Sequence, residues 1–454
     1  MLPSPNLPPQ GWEEGLGEEG LMNTKHILEL NQAGLLADVL GFETDEVAGQ
    51  TAGSHVSTLS GREFVDFTGG IAVHACGHCH PNVVAAIQAQ AAQVLHTSDT
   101  MRHAPQLELA DFLRGKLASA GVENAAFVFM NSGSESNDGA AKLALKVTGR
   151  KKLVAFVGAF HGRTMLCSAL SRSKTAHWQS LEPFLTPLRQ HILHAPAPRC
   201  AGCTMDSPSC CNVGLEALFA EHGDDIAAVF FEAQQGEGGY LPRTPESGKR
   251  LRELCNKHGA LLIADEIQAG VGRTGRWFAF EHLGIVPDIV VFGKAVGGGM
   301  PLAGIAACAE LLARWTPGEH GTTFGGNPVS CAAGLAAVRL MDEEGLVERA
   351  ARLGEEVKAR LRKLVGSHGV VDVRGNGFML GIEFRTPEDK PDYARLDILK
   401  DACREQDLLV LTCGAKLGDP KADCAVIRLI PPLNTPEDIL WHGIGIVERV
   451  ISAP

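Results

Sequence analysis

Tyrosine is nearly missing from these 454 residues, with 2 against 18 phenylalanines and 52 glycines. That balance predicts many tight turns, the kind in which backbone amides wrap a ligand. Excess positive charge is absent as well. Lys+Arg number 41 and Asp+Glu 53, a formal charge of −12, which argues against a nucleic-acid or anionic-membrane surface as the main business. A local basic pocket for a small anion is compatible with that total. No long apolar run occurs: the longest uncharged stretch, 67–98, is broken by Gly, Pro, Asn, Gln and His and does not read as a membrane span. The first 20 residues lack the basic start and apolar run of a secretory signal. Thirteen cysteines, an odd number, cannot all pair within one chain, so a reducing, cytoplasmic location is expected. No G-x-x-x-x-G-K-[ST] string is present, which removes a P-loop. GVGRTG at 270–275 fits G-x-G-x-x-G, but DEIQ separates it from the preceding apolar run. The tight strand–turn–helix of a dinucleotide site is therefore missing.

What is present is a length and an apolar share sufficient for two or three domains with a sizeable core. Residues 1–20 read as a flexible acidic, proline-rich tail. The middle of the chain alternates helical patterns with short apolar runs at 126–130, 153–157, 226–231, 260–264, 289–292 and 304–308. The runs are mostly apolar throughout, as strands of a parallel sheet covered on both faces are. Helical segments such as 246–258 supply the crossovers, so this body is α/β. After about residue 340 the pattern becomes a charged amphipathic helix (347–364) and alternating strands (370–374, 378–384, 424–429), a smaller α+β unit with one face in water. Residues 22–40 are expected to form a helix, and a hairpin is expected around Gly61. The segment 197–213 reads as a loop. The resulting division is 1–20 tail, 21–75 packing with the small unit, 76–340 large domain, and 341–454 small domain.

Polar residues sit just past the ends of five apolar runs: NSGSES at 131–136, FHGR at 160–163, Glu232, DEIQ at 265–268, and Lys294. In an open parallel sheet the carboxyl ends of the strands face one crevice, so these five signals are expected to converge. Gly133 and Ser134 open a helix whose free N–H groups and dipole favour a phosphate, although an ordinary serine cap reads the same way. Lys294, on a strand end before a glycine-rich turn, could serve as a Schiff-base amine or snorkel to the surface. Asp265, at the buried end of a strand, needs a partner, whether a protonated ring nitrogen or an arginine. Cys200 and Cys203 have zinc-ligand spacing, but the adjacent Cys210 and Cys211 close a tetrahedron poorly, and no metal is expected. His74, His78 and His80, with Cys76 and Cys79, lie on a loop entering a helix at Pro81; capping and packing roles are expected of them.

Taken with the strings GREFVDFTGGIAV, GHCHPNVVAAIQAQ, NSGSESN, FHGRT, QGEGG, ADEIQAGVGRTG, FGKAVGGGMPLAG, HGTTFGGNP and VIRLIPPLN, the chain resembles class III (ω-amino-acid) aminotransferases, which depend on pyridoxal phosphate. Within them it is most similar to the 4-aminobutyrate, acetylornithine and ornithine aminotransferases. The resemblance runs from about 53 to 450. It implies fold type I: a large α/β domain with a mostly parallel sheet, and a smaller α+β domain from the N- and C-terminal segments. It also implies a Schiff base on Lys294, which then shuttles the substrate proton, and a ring nitrogen kept protonated by Asp265. Gln268 would meet the ring hydroxyl, Phe160 would stack on the ring, and Gly133 and Ser134 would hold the phosphate. Thr323 would reach the phosphate from a second subunit, making a homodimer with shared sites. Arg163 and Arg428 would grip the two carboxylates of 2-oxoglutarate, Glu232 would pair with Arg428 when the donor lacks an α-carboxylate, and Ile71 would line the pocket. Ala233 departs from the family's usual proline and Gly293 from a small polar residue. The cysteine-rich segment at 200–211 resembles one in archaeal-type members and in some relatives that racemise amino acids, so a racemase or epimerase on the same fold is the alternative reaction.

Overall fold

The computed structural model describes residues 24–33, 35–37, 43–197, 209–419 and 422–453. Seven strands form the large sheet: β1 (Ala125–Met130), β2 (Lys152–Phe156), β3 (Ile192–Ala195), β4 (Ile226–Phe231), β5 (Leu261–Asp265), β6 (Ile289–Phe292) and β7 (Ala303–Cys308), in the order β1-β7-β6-β5-β4-β2-β3. All six expected runs are strands; β3 is an addition at the edge. Adjacent residues of one run pack on opposite faces. In β5, Ile263 joins Ala140, Leu143 and Ile305 on one side, while Leu262 and Ala264 join Leu251, Phe280 and Val290 on the other. Burial on both faces is why these strands are apolar without alternation. β7 alone runs antiparallel to both its neighbours. Only ten residues separate it from β6, fewer than a parallel crossover requires.

A second sheet is built from β8 (Val370–Asn376), β9 (Met379–Phe384), β10 (Leu411–Cys413) and β11 (Ala425–Leu429), antiparallel throughout in the order β8-β9-β11-β10. The expectation of a solvated face fails here. Every residue of β9 and β11 is buried, because the face expected in water covers the loop after β4. A Cβ on Gly381 would lie 3.0 Å from Tyr240 Cβ, and the Arg374 guanidinium donates twice to Gly239 O, at 2.8 and 2.6 Å. The amphipathic helix spans Leu346–Leu361, with a short 3₁₀ turn to Leu364.

Near the start, strands Ala48–Ala52, His55–Thr58 and Glu63–Asp66 form a meander around a turn at Gly61, and Leu408–Leu409 adds to it in parallel. The early helix is shorter than expected, Thr24–Gln32; the sequence next offers Gly34, a poor helix former. The expected loop also ends sooner, since a helix begins at Ser209 (Ser209–His222). Cys200, Cys203 and the 1–20 tail lie outside the described residues, as do the side chains of Cys210 and Cys211. His80 caps the helix Pro81–Ala91 by accepting from Asn82 N. Among the described residues no helix is long and apolar enough to cross a membrane.

Candidate active site

A cavity of about 400 Å³ opens at the carboxyl ends of β1, β2, β4, β5 and β6. Gly133, Ser134, Phe160, Glu232, Asp265, Gln268 and Lys294 line it. The geometric convergence expected of the five strand ends is therefore found, and the reason is topological: parallel strands deliver their exits to one edge.

At the end of β1, Ser132 caps the helix Gly133–Thr148 by accepting from Glu135 N. Among the described residues no acceptor reaches the amides of Gly133 and Ser134. This helix start can therefore receive an anion. The cradle has no room for side-chain carbons: a Cβ on Gly133 would fall 2.6 Å from Ile267 Cδ1, and one on Gly162 2.0 Å from Ser134 Oγ. At the end of β5, Asp265 Oδ2 accepts from His161 Nδ1 at 2.7 Å and Asn137 Nδ2 at 2.9 Å, while Oδ1 accepts from Ile267 N at 3.1 Å. Burial disfavours a charged His161, but the hydrogen bond and charge of Asp265 outweigh it and raise its pKa. Among the described residues, no protein partner reaches the buried His161 Nε2 and Gln268 Oε1.

Lys294 follows β6 with φ +48, a left-handed conformation that costs a non-glycine residue strain and concentrates at functional sites. Burial lowers its pKa, with the Asp265 charge acting in the opposite direction. The amine is thus drawn toward the neutral, nucleophilic form.

One expected pair is corrected. Arg428, on β11, donates through Nη1 to Glu237 Oε1 at 2.6 Å, and not to Glu232. The oxygens of Glu232 are taken by Phe160 N (3.0 Å) and Gly236 N (2.7 Å), which turns that carboxyl to the loop backbone. Burial, followed by the charge of nearby Asp265, raises the Glu232 pKa to about 7. Burial would also raise Glu237, but Arg428 and Lys174 reverse the effect and hold it at about 2. The remaining expected residues sit apart from the cavity wall. Arg163 is exposed, its guanidinium 5.7 Å from the Phe160 ring centroid. Thr323 is exposed. Ile71 is 47% exposed in a left-handed turn that runs from Gly69 to Ala72. His161, Asn137 and Glu237 are given no role in the sequence reading, although they lie inside FHGRT, NSGSESN and QGEGG.

This wall combines a helix-start anion cradle, a carboxylate held for a cation and an activated lysine. The chain matches the class-III aminotransferase family over residues 43–451. It is 39% identical over 408 residues to the 5-aminovalerate aminotransferase DavT of Pseudomonas aeruginosa, covering 88% of this chain and 92% of that one. It is 42% identical over 405 residues to the acetylornithine aminotransferase of Methanopyrus kandleri, covering 88% and 93%. A crystal structure of a Bacillus anthracis aminotransferase superposes with a TM-score of 0.85 at 27% identity, covering 95% of this chain and 99% of that one.

The protein is a pyridoxal-phosphate-dependent enzyme of the α/β aminotransferase type. More particularly, it belongs to the class-III aminotransferases. The residues present fit that cofactor. Among the described residues, free amides stand at a helix start, the Asp265 carboxyl is available for a protonated ring nitrogen, and Gln268 has an unpaired amide oxygen.

Proposed function

We propose that this enzyme moves the terminal amino group of an ω-amino acid, similar to 4-aminobutyrate, 5-aminovalerate, ornithine or N-acetylornithine, to 2-oxoglutarate. The observation that carries the proposal is the Glu237–Arg428 pair beside the cavity. An ω-amino donor brings its reacting carbon without an α-carboxylate, and an Arg428 neutralised by Glu237 matches such a donor. A 2-oxo acid does bring an α-carboxylate, and Arg428 suits it as a planar fork once Glu237 lets go. Arg163, exposed with its guanidinium 5.7 Å from the Phe160 ring centroid, takes the distal carboxylate in both halves.

Pyridoxal phosphate, when bound, supplies an electron sink that lets the amino-bearing carbon lose its proton. The chain does the rest. Gly133 and Ser134 hold the phosphate through their amides, Phe160 covers the ring, and Gln268 meets the ring hydroxyl. Asp265, positioned by Asn137 and His161, keeps the ring nitrogen protonated. Lys294 carries the proton to and from the substrate carbon at Nζ.

We read the molecule as a cytoplasmic homodimer in which Thr323 completes the partner's phosphate site. Exposed Leu95, Met101 and Phe324, with the His96 ring tilted against Phe324 at 5.0 Å between centroids, give that contact its apolar surface. Nine described cysteines are free thiols, which supports a reducing compartment. Residues 76–340 form the large domain, and 21–75 with 341–454 the small one, a division supported by the pairing of Glu63–Asp66 with Leu408–Leu409.

The test is a panel of donors assayed with 2-oxoglutarate, alongside chiral analysis of each α-amino acid. Glutamate should form with ω-amino donors. Interconversion of L and D forms without any oxo acid, and no glutamate, would replace the proposal with the racemase alternative.

A further inference from the structure

Glu237 has a second cation, contributed by a different part of the chain. Its Oε1 accepts from Arg428 Nη1 at 2.6 Å and its Oε2 from Lys174 Nζ at 3.0 Å. The Lys174 and Glu237 side chains are only 28% and 14% exposed. Lys174 has no role in the chemistry described above.

The backbone around Lys174 is held as firmly as the pair. Lys416 N donates to Ser173 O at 2.8 Å, and Thr175 N donates to Lys416 O at 3.1 Å, bridging the two segments in parallel. Two residues earlier, Gly414 N donates to Glu237 O at 3.0 Å. Cys424 Sγ donates to Gly238 O at 3.2 Å, and Arg374 fixes Gly239 O. The stretch 414–416 thus ties the Lys174 segment and the Glu237 loop to the sheet that carries Arg428. A surface lysine meeting a carboxylate by chance has no such support.

When a 2-oxo acid brings its α-carboxylate to Arg428, Glu237 must leave. A shielded carboxylate without a partner is costly. We propose that Lys174 is a positioning residue that keeps Glu237 paired after it releases Arg428, and so favours the 2-oxo-acid half of the cycle. The inference rests on the function proposed above. Its asymmetry follows from counting partners. While Glu237 sits on Arg428, losing Lys174 removes one of two cations; once Glu237 has left, the same loss removes the last.

The experiment measures the two half-reactions separately by rapid-mixing absorbance on the holoenzyme, for wild type, Lys174→Met, Lys174→Gln and Lys174→Arg. With Lys174→Met, the 2-oxo-acid half-reaction at subsaturating acceptor should fall about tenfold further than the donor half-reaction. Lys174→Arg should restore the balance. In a Glu237→Gln background, Lys174→Met should change both halves by the same factor. Lys174→Gln gives the same comparison should the methionine variant fold poorly. Equal losses in both halves would show Lys174 holding a substrate group or the fold itself, and would overturn the proposal, as would no loss at all. 2-Oxoglutarate and pyruvate are run in parallel, since each delivers an α-carboxylate. A wild type that uses only pyruvate corrects the named acceptor, while the Lys174 comparison proceeds on pyruvate.

Discussion

Replacing Asp265 by Asn changes one oxygen to an amide and should do two separable kinds of damage. Asp265 is 4% exposed and accepts at both oxygens, from Asn137 and His161 at Oδ2 and from Ile267 N at Oδ1. Asparagine has a single acceptor oxygen. If that oxygen keeps Asn137 and His161, its amide faces the Ile267 N–H; if it keeps Ile267, the amide faces two donors. Either way a buried or part-buried donor is left without an acceptor, at about 1–3 kcal/mol. The apoprotein of the variant should therefore melt lower than wild-type apoprotein. On the proposed site assignment, the second loss is the negative charge that would face the ring nitrogen. A preorganised electrostatic partner in a water-poor site contributes about 3–4 kcal/mol, or roughly 10²–10³ in rate. The assay is steady-state turnover of one ω-amino donor with 2-oxoglutarate, with bound cofactor verified by its absorbance and apoprotein melting followed in parallel. Lower melting with near-wild-type turnover, cofactor bound, would refute the reasoning. Asp265 would then be a structural member of the His161–Asn137 cluster with no part in the chemistry.

Lys294→Ala should abolish turnover and the visible absorbance of the protein-linked cofactor, and borohydride reduction of wild type should leave a pyridoxyl group on the peptide containing Lys294. A label on another lysine would contradict the site. Mixing Lys294→Ala with Thr323→Ala subunits should restore activity, because a heterodimer then has one intact site; a fully active monomer would exclude sharing. Glu232 gives a pH signature. Its carboxyl is raised from 4.5 to about 7 in the fold, so the folded state holds that proton more tightly than the unfolded chain does. The stability it contributes is present below about pH 4.5 and declines as pH rises to about 7. Glu232→Gln apoprotein should show a flatter decline of melting temperature across that window than wild type, and an unchanged slope would remove Glu232 as its cause.

Local sequence pattern suffices for the framework of the large sheet and for the residues at its exits. Strands buried on both faces must be apolar throughout, so β1, β2 and β4–β7 could be read directly. Residues such as Asp265 and Lys294 have to follow them at once, because the crevice lies where those strands end. Both signals are local, with no more than a few residues between the run and the chemistry. The tertiary structure decided which groups meet. Asn137 and His161 reach Asp265 from 128 and 104 residues away, a distance over which spacing carries no information. The reversal of β7 and the complete burial of β9 and β11 likewise depend on what packs against them. The choice of Arg428's partner shows this best, since Glu232 and Glu237 are both acidic and both follow β4 within six residues. The turn through Gly238 and Gly239, the latter at φ +113 and gripped by Arg374, aims one carboxylate at a guanidinium and leaves the other to the amides of its own loop. That orientation is a property of the packed sheet of residues 370–429, assembled more than a hundred residues downstream.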